Sequence, residues 1–283
     1  MTFGLNQKLY EESRYNPADD RELPMPYTQF MTASLTYPNK INSILEIGSG
    51  GGRTAWYLHR ILPNVQVTTV ELDPTVVELS RKYFGIKDEP NFHLVSRDGR
   101  IFLAASKAHY DVILLDAYRG TFVPFHLLTK EFYQIVKGHL APGGVIAVNV
   151  EPTTMLFDSA VKTLHEVFSQ VEFYDASGSN VGGNVVMIAY DGQAVSSSDL
   201  SRMAETHESA YRPRYDLREM LRHRFLLKPV GSSFDVVNQE GQSTAGIDDN
   251  AKILTDDFAP VESLKAIERH NQKWTFQSNP AAH

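Results

Sequence analysis

The chain contains no cysteine. That excludes disulfides, thiol nucleophiles and cysteine-ligated zinc or iron–sulfur centres. No run of about 18 uninterrupted apolar residues occurs, so no transmembrane helix is expected. Residues 1–24 alternate polar and apolar positions and do not read as a signal peptide, which makes the cytoplasm the expected location. Positive charge is in deficit: 27 Lys and Arg stand against 34 Asp and Glu, for a formal net charge of -7. A phosphate-binding surface needs the opposite balance, so no nucleic-acid partner is expected. The histidines form no H-E-x-x-H or other metal-ligand spacing, and no metal is expected.

What is present is an alternation of strands and helices over 283 residues. Residues 1–26 are polar and proline-punctuated, an arm with at most a short strand. Tyr27 to Leu35 suits a helix. Buried strands are read at Ile41–Ile47, Val65–Val70, Phe92–Val95, Tyr110–Leu115 and Val145–Val150. Helical spacing lies between them at Thr54–Leu62, Pro74–Tyr83, Gly99–Ala105 and Thr129–Leu140. A helix at Ser159–Phe168 leads to a last strand pair, Val171–Tyr174 and Val185–Tyr190, with one member expected to be antiparallel. The pattern predicts an α/β fold: a doubly wound, mostly parallel Rossmann-like sheet over residues 27–190. Residues 191–283 read as a linker or lid followed by a helical C-terminal extension, with helices expected over 215–227 and 260–272.

Four strand ends carry chemistry. Gly48-Ser49-Gly50-Gly51-Gly52 lies between a strand and a helix. Its Gly48, Gly50 and Gly52 give a G-x-G-x-G turn that lets a ligand approach the backbone. Arg53 stands where a dinucleotide fingerprint needs its last glycine, which favours a nucleoside with a sulfonium side chain over a pyrophosphate. Glu71, followed by Leu72, ends the next strand, where a carboxylate can accept from ribose hydroxyls. Asp98-Gly99 ends the third, where the acid can accept from an adenine amino group, cap a helix, or do both. Asp116 ends the most apolar strand, YDVILLD. There it can orient or deprotonate an amine, hold a cation, or simply form a turn. Together the four fall on successive strand ends in the order a nucleoside site requires.

Other acids and bases are less distinctive. His126 in PFHLLT is a site candidate, though packing explains it more simply. Glu151 follows the VIAVNV strand and can bind a substrate amine or be an ordinary strand-end acid. Asp256 and Asp257 can close over a cationic substrate or cap a helix.

These motifs resemble the spermidine synthase family of aminopropyltransferases, from about Tyr27 to Tyr190. ILEIGSGGGRT is similar to the family's glycine motif, VELD to its ribose motif, SRDGRIF to its adenine motif and YDVILLDAYRG to its catalytic strand and lid. VPFHLLTKEFYQIV and LTDDFAPV resemble the spermidine-synthase-like domains fused to membrane transporters. The resemblance implies a transferase with a class I methyltransferase-type fold. It implies S-adenosylmethionine or its decarboxylated form as co-substrate and a small amine or amino-acid-like acceptor. It places Glu71 on the ribose, Asp98 and Gly99 on the adenine, Asp116 as the catalytic aspartate and Tyr27 on the acceptor side. Two positions depart from the family pattern: Gly51 and Arg119 stand where aspartates are usual. Burying an ammonium without a partner costs several kcal/mol, and an arginine suits a carboxylate. The departures keep a methyltransferase on the same scaffold as the alternative and a non-catalytic nucleoside-binding or sensory protein as a second one. The short arm leaves a homodimer as one option for assembly.

Overall fold

In the computed structural model the described residues are 1–5, 8–118, 123–152, 154, 156–176 and 183–258. The arm opens with an antiparallel hairpin, β1 (Thr2–Leu5) and β2 (Lys8–Glu11). α1 (Pro26–Met31) begins at a proline, whose missing N–H costs nothing at a helix start. It continues as a 3-10 turn, Thr32–Thr36.

The alternating core follows. β3 (Ser43–Ile47), α2 (Arg53–Ile61), β4 (Gln66–Glu71), α3 (Pro74–Tyr83), β5 (Phe92–Ser96), α4 (Gly99–Ala105) and β6 (Tyr110–Leu115) match the spacing read from the sequence. Then come α5 (Lys130–Gly138), β7 (Leu140–Val150), α6 (Phe157–Val167), β8 (Gln170–Asp175) and β9 (Val185–Tyr190). Helix starts are chemically marked. Asp73, Asp98 and Thr129 each accept a backbone N–H in the first turn of α3, α4 and α5.

Strands β5-β4-β3-β6-β7 are mutually parallel. β9 is antiparallel to both β7 and β8, as expected for one member of the last pair. The order reverses between β3 and β6, so the crevice beyond their carboxyl ends is the natural ligand position. Adjacent residues pack into different cores, one on each face of the sheet: Ile44 and Val112 on one, Leu45 and Ile113 on the other.

The segment after residue 190 departs most from expectation. Residues 191–210, read as a linker or lid, hold most of α7 (Ser197–Tyr211). Leu200, Ala204 and His207 are buried along it, one face of a helix beneath a serine-rich composition. The helix expected over 215–227 shrinks to α8 (Leu217–Leu221) and gives way to β10 (Arg224–Val230). Pairing decides this: Phe225 lies opposite Phe173 of β8, and buried Arg224 reaches Glu172 with Nε and Nη2, each at 2.6 Å. β11 (Ser233–Val237) and β12 (Ser243–Ile247) extend the same sheet to ten strands. The C-terminal extension is therefore two helices plus three strands over the described residues. The helix expected over 260–272 lies outside them. Among the described residues no helix is long and apolar enough to cross a membrane.

Candidate active site

The carboxyl ends of the parallel strands open into a cleft of about 420 Å³. Gly48, Gly50, Glu71, Leu72, Asp98, Gly99, Asp116 and Tyr27 all line it. Gly52 is not among the lining residues and caps the start of α2. Four strand ends far apart in sequence thus meet at one place.

The glycine loop is shaped by close approach. Gly48 has φ +88°, and a Cβ there would lie 2.4 Å from the Ala117 Cα. Only glycine lets β3 turn against the end of β6. Gly51 is excluded from carrying a side chain by packing: a Cβ would lie 2.5 Å from Phe84 Cδ1 and 3.0 Å from Ser13 Cβ. Its N–H donates to Ser13 Oγ at 2.8 Å, so the arm docks directly on the loop.

Glu71 is held by backbone donors. Its Oε2 accepts from the N–H of Ser49 at 3.1 Å and of Gly50 at 3.2 Å, and its Oε1 accepts from Asp73 N–H at 3.1 Å. A lone pair remains on Oε1 for a ligand. Leu72 beside it is 65% exposed, an apolar face at the cleft wall. Asp98 combines two contacts. Oδ1 accepts from Ile101 N–H at 2.8 Å, and Oδ2 lies 3.2 Å from His126 Nε2. His126 also lines the cleft.

Asp116 lies at the cleft floor. Asn149, buried on β7, donates from Nδ2 to Asp116 Oδ1 at 2.7 Å. Asn184 in turn donates to Asn149 Oδ1 at 2.9 Å. Tyr27 lines the cleft with Asp116, and its hydroxyl weakly favours the ionised carboxylate. Surrounding protein removes water from the carboxyl and pushes it up to about 7, despite the opposing hydrogen bond from Asn149. A second acid one strand away behaves similarly. Glu46 on β3 is 1% exposed, accepts from Thr69 Oγ1 at 2.5 Å, and is raised by burial to about 8.

The remaining predicted residues lie elsewhere. Arg119 lies outside the described residues. Glu151 lines a smaller neighbouring recess with Val123, Leu128 and Phe157. Asp257 is exposed and does not line the cleft. Its neighbour Asp256 forms a two-pronged pair with Arg100, at 2.8 and 2.5 Å. Sequence reasoning missed Glu12, Ser13, Glu46 and Asn149. For the last two a signal existed: each is a lone polar residue inside a buried apolar strand.

A spermine/spermidine synthase domain model matches residues 30–179. A polyamine aminopropyltransferase of Vibrio vulnificus is 30% identical over 256 residues, covering 89% of this chain and 79% of that protein. A probable polyamine aminopropyl transferase of Bifidobacterium longum is 31% identical, covering 87% of this chain. The match spans 54% of that longer protein. Among solved structures, human methyltransferase-like protein 13 in complex with SAH superposes with a TM-score of 0.60 at 23% identity, over 67% of this chain and 94% of that one. That likeness speaks to the fold, a methyltransferase-like Rossmann architecture.

Proposed function

Because this chain belongs to the spermine/spermidine synthase family and is a transferase, we propose that its cleft moves an aminopropyl group from decarboxylated S-adenosylmethionine to a small amine. The observation that carries the reading is Asp116: a carboxylate at the switch point of the sheet, held by Asn149 and tuned to about 7.

The residues fit such a donor. The cleft volume lies in the range of small-molecule sites. Glu71 is oriented to accept from ribose hydroxyls, Leu72 offers an apolar face to a base, and Asp98 with Gly99 faces the adenine edge. At Gly48 and Gly50 the loop keeps backbone, not side chain, against the nucleoside. The sulfonium supplies an electrophilic carbon and a neutral thioether leaving group.

The chain's own residues must orient the acceptor and free its lone pair. An alkylammonium cannot attack until it loses a proton. Asp116 accepts that proton, and a carboxylate near 7 is matched to operation near neutral pH. The new C–N bond forms as the C–S bond breaks, and the proton ends on Asp116. Tyr27 lines the cleft beside the carboxylate, on the acceptor side. Glu151 and Asp257, outside the cleft lining, are not used.

Calorimetric titration with S-adenosylmethionine and with its decarboxylated form tests the donor. Mass spectrometry of reactions with simple diamines tests the product. Preference for the decarboxylated donor together with an aminopropylated amine is the expected result. Preference for the intact donor with a methylated product would replace this reading by methyl transfer. Binding of neither would remove the nucleoside assignment itself.

A further inference from the structure

We propose that Glu12, carried in by the N-terminal arm, is a substrate-binding carboxylate that pairs with an alkylammonium held beside Asp116. The inference rests on the donor and acceptor chemistry proposed above, and the arm supplies the new element.

The arm is seated on the site by fitted contacts. Ser13 is buried, and its Oγ accepts the Gly51 N–H at 2.8 Å. A Cβ on Gly50 would lie 2.7 Å from that same oxygen, so the loop is flush against the arm. Glu12 precedes Ser13 directly and lines the cleft with Tyr27, Tyr118 and Asp116. Its charge reaches all three, opposing ionisation of each.

No protein cation answers these two carboxylates among the described residues. Two arginines line the cleft, and both are committed. Arg14 donates to Glu11 at 3.0 and 2.5 Å. Arg53 donates to the Phe84 carbonyl at 2.9 Å and to the Asp20 carbonyl, with its guanidinium stacked on Tyr15. The Glu12 carboxylate has no hydrogen bond or ion pair within the described residues, and burial alone raises it. Two acids in one partly dehydrated cavity repel each other. A ligand ammonium placed between them cancels that repulsion and gains two charge-assisted hydrogen bonds. The flanking rings of Tyr27 and Tyr118 suit the alkyl stem that carries such a head, as well as the cation itself.

A primary ammonium can come from either the donor's aminopropyl end or the acceptor. Glu12→Gln in the full chain separates the two. Titrations with decarboxylated S-adenosylmethionine and with methylthioadenosine, which shares the nucleoside but lacks the ammonium, are compared on wild type and variant. KM for the amine is measured alongside. If Glu12 holds the donor, binding of the decarboxylated donor weakens by about tenfold or more while methylthioadenosine is unchanged. If it holds the acceptor, the amine KM rises by a similar factor and donor binding stays. Glu12→Asp should recover part of either loss, and an unchanged melting curve for Glu12→Gln shows the arm still docked. Unchanged donor binding and unchanged amine KM overturn the proposal. If wild type turns over no amine, the transfer reading fails. The paired titrations then decide Glu12 alone: an unchanged ratio of donor to methylthioadenosine affinity in the variant overturns it.

Discussion

Asn149 Nδ2 sits 2.7 Å from Asp116 Oδ1, across the join between two parallel strands. The donated hydrogen bond favours the ionised carboxylate and works against the burial that raises it. Asn149 is therefore a positioning residue: it sets both the direction and the protonation of the group that faces the substrate. Asn149→Ala should lift the carboxyl further. The acidic limb of the kcat/KM profile, expected near pH 7 in wild type, should move up by about one unit, the scale of one lost hydrogen bond to a charge. Methylthioadenosine affinity should not change. A profile that stays in place would mean that Asn149 only packs.

Asp116 also carries a stability cost at high pH. Its folded carboxyl is raised to about 7 from an ordinary 3.8. The stabilisation that comes from keeping it protonated is complete below pH 3.8 and is lost as pH rises through about 7. Asp116→Asn should therefore abolish most turnover yet melt higher than wild type at pH 8, by ~2 °C or more. At pH 4 the two should melt closely together. Thermal denaturation at both pH values checks this. A variant less stable at pH 8 would contradict the burial of an ionised Asp116.

The C-terminal strands hang on a buried ion pair. Arg224 and Glu172 are 3% and 2% exposed, and Glu172 also accepts from the hydroxyls of Tyr190 at 2.6 Å and of Tyr37. Removing one partner strands a charge in the interior, whereas removing both need not. Arg224→Met should cost about 3–5 kcal/mol of unfolding free energy. The double variant with Glu172→Gln should recover much of that loss. Urea denaturation of the three proteins measures the difference. Equal midpoints for the single variant and wild type would show that the pair contributes nothing to holding β10 on β8.

Much of the site was legible because its parts are local. A carboxylate that closes a buried strand, as at Asp116, is visible as an acid ending an apolar run. A glycine-rich turn is visible as composition. Asn149 and Glu46 were legible in principle, since a polar residue inside VIAVNV or ILEI demands a partner. Which partner it finds depends on the neighbouring strand. Gly51 illustrates the limit: its sequence position suggests only a missing side chain, while Phe84 and Ser13 supply the reason none can fit.

Glu12 and Ser13 were not legible, because nothing in a polar, proline-marked arm says where it docks. The serine-rich stretch before Tyr211 concealed a helix whose buried face needs the 3-10 turn and α8 against it. The start of strand β10 falls inside the helix expected over 215–227, because its identity comes from pairing with β8, some fifty residues away. The sequence by itself determined the alternating core, the sheet's carboxyl edge and the acids standing on it, since strand period and strand ends are properties of neighbouring residues. Only the tertiary structure decided which side chains support Asp116, what covers the glycine loop, and how the chain continues beyond the core. Those depend on contacts between residues that the chain itself does not place side by side.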